Sequence, residues 1–233
     1  MKIRQLLSES PSDKGAFKAL FVSGPPGAGK TSIKKYVNLP SDIVVIDADT
    51  TIARVTGNSN YDPKRDKSIT MAVQDEFTDA VNDVSPLLLD TVGNNERLMM
   101  RRINTLQRIG YDVAMIWVDV EESTSHKRIK KREEETGRKV DPDFVSQVHQ
   151  DKKYALPKYQ TELGANFMYV SNETEIDVSR IQEKTSKFFN SPVQNPKGQE
   201  LLAVMKKHDF ETLSPKIIDV YDLSRVLSSA WKP

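Results

Sequence analysis

Two rhythms of apolar and polar positions alternate along most of the chain. Short, nearly unbroken apolar runs stand at 19–23, 43–46, 87–89, 113–118 and 167–170. Between them, apolar positions recur every three or four residues over 31–38, 65–83, 95–109, 122–135 and 142–163, with a break expected at Pro157, and again over about 175–189. Runs that are apolar on both faces predict strands of a parallel sheet, which needs helices on either side to cover it. Five such strands alternating with helices predict one α/β domain over 18–189.

Outside that span the pattern changes. Residues 1–17 are polar and carry Ser8, Ser10 and Ser12, and read as a leader. Residues 190–199 hold Pro192, Pro196 and Gly198 and read as a linker. Apolar stripes return over 200–233, first Leu201, Leu202, Met205 and Phe210, then Ile217 through Trp231. This helical C-terminal extension either packs back on the domain or docks a protein partner.

The first strand runs directly into Gly24-Pro25-Pro26-Gly27-Ala28-Gly29-Lys30-Thr31, which fits G-x-x-x-x-G-K-[ST] and opens a helical segment at Ser32. Strand, loop and helix in that order are the context a phosphate-binding loop requires. Glycines let successive backbone N–H groups converge on anionic oxygens, and the helix N-terminus adds partial positive charge. The nucleotide-binding set expected here is Gly24, Gly27, Ala28, Gly29, Lys30, Thr31 and Ser32. Lys30 bridges the β- and γ-phosphates of ATP in this chemistry, and the Thr31 hydroxyl ligates Mg²⁺.

Ligands of open α/β sheets gather at the carboxyl ends of the strands, where this chain has several acids. The second run ends in Asp47-Ala48-Asp49, the third in Asp90 and the fourth in Asp119. Asp49 stands where an acid would accept the proton of a substrate hydroxyl, the alternative being a helix cap for the residues after it. Asp90 reads as a metal or substrate contact, or else as a structural strand-end acid. Asp47 and Asp119 stay open between the same alternatives.

Composition narrows the function classes. Lys and Arg number 34 against 33 Asp and Glu, a net +1, which removes the generic argument for a nucleic-acid or membrane partner. With no cysteine, disulfides, thiolate metal sites and a cysteine nucleophile are excluded. No apolar run approaches the roughly 20 residues of a bilayer span. The start is too soon polar for a signal peptide, so a cytoplasmic location is expected.

The near-neutral balance hides one local excess. Residues 126–139 hold seven basic and three acidic residues, a local +4. Arg128 and Arg132 share one helix face, and Gly137 is placed to end that helix so that Arg138 enters from a loop. Arginines on a mobile lid neutralise charge during phosphoryl transfer, and Arg132 and Arg138 are the candidates. The alternatives are a solvated helix laced by Lys–Glu pairs, or a nucleic-acid patch. The latter is not favoured because base-stacking aromatics are absent from the stretch.

On these residues the chain resembles the zeta-toxin-like group of P-loop kinases, over about residues 18–172. The resemblance is carried by Gly24–Thr31, the strand end containing Asp47 and Asp49, the strand end at Asp90, and the run from Arg132 through Arg138 to Pro142. It implies a three-layer P-loop fold with a five-stranded parallel sheet in the order 2-3-1-4-5. It further implies transfer of the γ-phosphoryl group of ATP, with Mg²⁺, to a hydroxyl of a small molecule, sugar nucleotides being the family's known acceptors. By that resemblance Asp49 is the base, Asp90 contacts substrate or metal-bound water, and Arg132 and Arg138 embrace the phosphates. The chain has Asp at 90 where the family usually has Glu. It also has Asn94 in the following stretch, a candidate substrate contact, where the family has a Gly-Thr pair. Other readings of the same residues are a nucleoside or 5′-polynucleotide kinase, and a nucleotide-binding module whose tail docks on a larger assembly.

Overall fold

The computed structural model describes residues 15–47, Thr51 and 67–207. Asp49 and the tail beyond Lys207 lie outside the described residues. Five strands, β1 (Lys18–Ser23), β2 (Val44–Asp47), β3 (Leu87–Thr91), β4 (Asp112–Asp119) and β5 (Phe167–Ser171), join into one sheet. Their order is β2-β3-β1-β4-β5 and every neighbouring pair is parallel. The expected strand order is therefore the observed one.

Successive strand residues point to opposite faces, and in β1 and β4 every one of them is buried. Ala19 and Phe21 of β1, with Val113, Met115 and Trp117 of β4, feed one core. Leu20 and Val22, with Ala114, Ile116 and Val118, feed the other. The first core is covered by α2 (Lys67–Asn82), α3 (Glu96–Arg108) and α5 (Pro142–Leu163), the second by α1 (Lys30–Lys34) and α6 (Val178–Asn190). These three layers are the α/β P-loop architecture. Helix α4 (Glu122–Thr136) lies against α5, and α7 (Pro196–Lys207) follows α6 and buries Leu201 in the first core.

Three details depart from the sequence pattern. Helix α7 begins at Pro196, inside the stretch 190–199 read as a linker, with Asn195 accepting from the N–H of Lys197 at 3.0 Å at its start. Helix α1 stops at Lys34, because Lys35 and Tyr36 close tighter turns onto Ser32 O (3.2 Å) and Ile33 O (2.9 Å). Helix α5 continues through Pro157 without the expected break. Its buried stripe of Val145, Val148, His149, Ala155, Tyr159 and Leu163 lies on both sides of the proline. Burying both halves outweighs the roughly 3 kcal/mol that an interior proline costs.

At the opposite end of the sheet from the phosphate loop, Lys18 and Asp112 are register partners and form a buried ion pair of 2.6 Å. The Asp112 carboxylate also accepts from the backbone N–H of Gln194 (2.8 Å) and Asn195 (2.7 Å). The proline-containing stretch after α6 is thus tied to the start of β4. Among the described residues no helix is long and apolar enough to cross a membrane.

Candidate active site

The phosphate loop takes the form its glycines demand. Gly24 has φ 147°, and a Cβ there would sit 2.0 Å from the carbonyl oxygen of Val118. Gly29 is left-handed at φ 89° and caps α1, where a Cβ would meet Asn172 Nδ2 at 2.3 Å. Side chains at these positions would push the loop off β4 and off the segment after β5. The Lys30 ammonium donates to the carbonyls of Gly24 (2.8 Å) and Pro25 (3.2 Å) at the loop's own mouth.

The loop opens into a cleft of about 710 Å³ over the carboxyl ends of the strands. It is lined by Gly27, Gly29, Lys30 and Thr31, by Arg128, Arg132 and Arg138, and by Asp47, Asp90, Asn94 and Arg102, together with Val73, Leu98, Met99, Val140 and Phe144. Of the expected site residues, Gly27, Gly29, Lys30, Thr31, Asp90, Asn94, Arg132 and Arg138 therefore line one space. Gly24 and Ala28 shape the loop behind it, and Ser32 is the third residue of α1. Asn94 donates to Asp151 at 3.2 Å, and Asn95 caps α3 by accepting from Leu98 N at 3.0 Å.

The basic helix is fastened at its root. Ser125 and His149 form a buried hydrogen bond of 2.9 Å between α4 and α5, and the backbone of Ser125 packs against Gly27. Arg128 donates to the carbonyls of Gly27 (3.4 Å) and Asn172 (2.9 Å), while Asn172 Nδ2 donates to Ala28 O (2.6 Å). Arg128 and Arg132 are consequently held by a rigid helix next to the loop. Gly137 ends that helix with φ 72°, and Arg138 begins the connection to α5. Of the three arginines, Arg138 is the one that sits on a loop.

The strand-end acids divide. Asp119 accepts from Lys152 at 2.9 Å through both oxygens and from the Tyr169 hydroxyl at 2.7 Å, away from the cleft lining. It is a structural anchor. Asp90 and Asp47 are register partners on β3 and β2, and the Lys34 ammonium lies 2.5 Å from Asp90 and 3.3 Å from Asp47. Burial pushes the Asp90 carboxyl above its usual range; Lys34 and Lys30 pull it back, while Asp47 adds to the rise. Burial lowers Lys34, but its contacts with Asp90 and Asp47 outweigh this and leave it raised.

Three contributors to the cleft were not expected from the sequence. Lys34 lies one helical turn after Lys30, and that i,i+4 spacing was the available signal. Arg102 follows Leu98 and Met99 on the buried side of α3, where an arginine is anomalous; burial pushes its guanidinium down to about 10. Asn172 is brought to the loop by β5 and carries no local signal at all.

A nucleotide-sized cleft over a phosphate loop, lined by arginines and strand-end carboxylates, on a 2-3-1-4-5 parallel sheet, defines the P-loop kinase class of fold. Residues 3–183 match the Zeta toxin family, and the chain belongs to that family. No curated protein matches it in sequence. Among solved structures it is similar to a chain of the Pnkp1/Rnl/Hen1 RNA repair complex, at 21% identity and TM-score 0.52. That match takes in 60% of this chain and 45% of the other, so this chain spans less than half the length of that relative. It is also similar to a chain of the PezAT chromosomal toxin-antitoxin system of the human pathogen Streptococcus pneumoniae, at 17% identity and TM-score 0.50, covering 91% of this chain and 93% of that one. At these identities the likeness is one of fold.

Proposed function

We propose that the protein is an ATP-dependent kinase that phosphorylates a hydroxyl of a small molecule, with a sugar nucleotide as the candidate acceptor class. The observation that carries this reading is the cleft that Lys30, Thr31, Arg128, Arg132 and Arg138 line together with Asp47 and Asp90. Family membership supports it.

In the proposed reaction the loop amides and Lys30 bind the β- and γ-phosphates, for which Lys30 leaves the carbonyls of Gly24 and Pro25. Thr31 has the hard hydroxyl oxygen that suits Mg²⁺, which when bound neutralises charge between the β- and γ-phosphates. Arg132, preorganised on α4, and Arg138, delivered from the loop after it, stabilise charge on the transferring group and displace water. Asp49 takes the acceptor's hydroxyl proton. The new O–P bond forms as the bond to the β-phosphate oxygen breaks, and ADP leaves. The rest of the cleft lining receives the acceptor: Asn94, Asp90 and Arg102 meet its polar groups, and Leu98, Val140 and Phe144 cover an apolar face.

Incubation with γ-labelled ATP and a panel of sugar nucleotides, nucleosides and 5′-hydroxyl oligonucleotides tests the reading. Label is expected in a sugar nucleotide and lost with Asp49→Asn. ATP binding without label in any acceptor would overturn it in favour of a nucleotide-binding module.

A further inference from the structure

Asp47 and Asp90 stand directly opposite each other on adjacent parallel strands, whose backbones lie about 4.8 Å apart. Both belong to the cleft, and each carboxylate is less than one fifth exposed, at 16% and 13%. Like charges so placed repel, and the repulsion grows as water is removed. In nucleotide-handling sites such a pair invites a divalent cation. Here a side chain occupies that position instead: the Lys34 ammonium bridges the two acids at 2.5 and 3.3 Å, itself 17% exposed.

The bridge follows from local structure. Lys34 lies one turn after Lys30, so both amines leave α1 on the same side, toward the strand ends. The loop, held by Asn172 and Arg128, fixes where α1 starts and therefore where Lys34 reaches. Lys30 adds a second ammonium whose charge also acts on Asp90. A hard divalent ion would need carboxylate oxygens at about 2.0–2.2 Å, and Lys34 already holds them. No group of three or more His, Cys, Asp or Glu side chains suited to a metal occurs among the described residues.

We propose that Lys34 is a built-in counter-ion that replaces a divalent metal between Asp47 and Asp90. It positions both carboxylates as hydrogen-bond acceptors facing the cleft and leaves Thr31 and the nucleotide to hold the single metal ion of the site. Only that last clause rests on the kinase reading. The pairing itself is a property of the nucleotide-free chain.

Titration of the full-length, nucleotide-free protein with Mn²⁺, read as loss of the free-ion electron paramagnetic resonance signal, tests it. Wild type and Lys34→Arg are expected to bind Mn²⁺ weakly. Lys34→Met and Lys34→Gln, the latter keeping a hydrogen-bond donor without charge, are expected to gain one site at least tenfold tighter. Lys34→Met combined with Asp90→Asn is expected to lose that gain. Variants no tighter than wild type, or a gain that survives Asp90→Asn, would overturn the proposal; if Lys34→Met fails to fold, Lys34→Gln, alone and with Asp90→Asn, makes the same comparison. With saturating ATP, wild type should take up one Mn²⁺ per nucleotide and Lys34→Gln two, whereas two in wild type would contradict the single-metal assignment. Absence of any ATP-dependent uptake would count against the kinase reading while leaving the nucleotide-free comparison standing.

Discussion

Lys30 and Arg138 mark the two ways in which one side chain serves this cleft. Lys30 is stored on the carbonyls of Gly24 and Pro25, so its exchange onto phosphate replaces two neutral acceptors with charged ones. Lys30→Ala is expected to weaken ATP binding by about 1.5–3 kcal/mol, on the order of tenfold to a hundredfold, in calorimetry. An unchanged affinity would contradict the role. Arg138, from the loop after Gly137, is assigned to charge that develops only during transfer. Arg138→Ala is therefore expected to cut kcat by about 10²–10³-fold while moving ATP affinity only a few-fold. Equal losses in both would make it a binding residue instead. Lys30 and Thr31 were legible in the sequence because the motif is contiguous and its geometry is local. Arg102 and Asn172 were not, because each acquires its role only when separate strands and helices bring it to the loop.

Helices rather than single residues decide what can move. The Ser125–His149 bond, the Ser125 backbone against Gly27 and the Arg128 contacts weld α4 to the phosphate loop and α5, so a lid made of the whole basic segment is replaced by a short loop carrying Arg138. The charge run located the segment and Gly137 marked where its helix gives way to a loop, but the sequence held no sign that the helix is fastened, since that depends on partners from α5 and the end of β5. Helix α5 shows the converse. Pro157 signalled a break that the continuous buried stripe overrides, so Pro157→Ala should stabilise the fold by about 1–3 kcal/mol in denaturant unfolding. A loss of stability would mean that the proline fits its site better than a regular helical residue. At the start of β4, Asp112 answers the buried Lys18 ammonium and two backbone N–H groups. Asp112→Ala is expected to cost about 3–5 kcal/mol by leaving that charge buried with the Pro192 carbonyl, at 3.2 Å, in place of a carboxylate. A cost below about 1 kcal/mol would show that the Pro192 carbonyl or water suffices for Lys18.

Across the whole molecule, a net charge of +1 conceals a strong internal separation. Carboxylates collect at the ends of β2 and β3, arginines come from α3, α4 and the loop after α4, and the phosphate loop lines the same cleft. The layers were legible because five apolar runs alternating with helices permit few arrangements other than a covered parallel sheet, whereas the strand order came from the family resemblance and not from the pattern. The pairing of Lys34 with Asp47 and Asp90 was not legible, because it depends on strand register and on where α1 begins. If this separation serves phosphoryl transfer to a hydroxyl, the most direct test is mass spectrometry of sugar nucleotides incubated with the protein, ATP and Mg²⁺. The expected result is an acceptor heavier by one phosphoryl group, formed in step with ADP and absent with Asp49→Asn. ADP released with every acceptor unchanged in mass would contradict it.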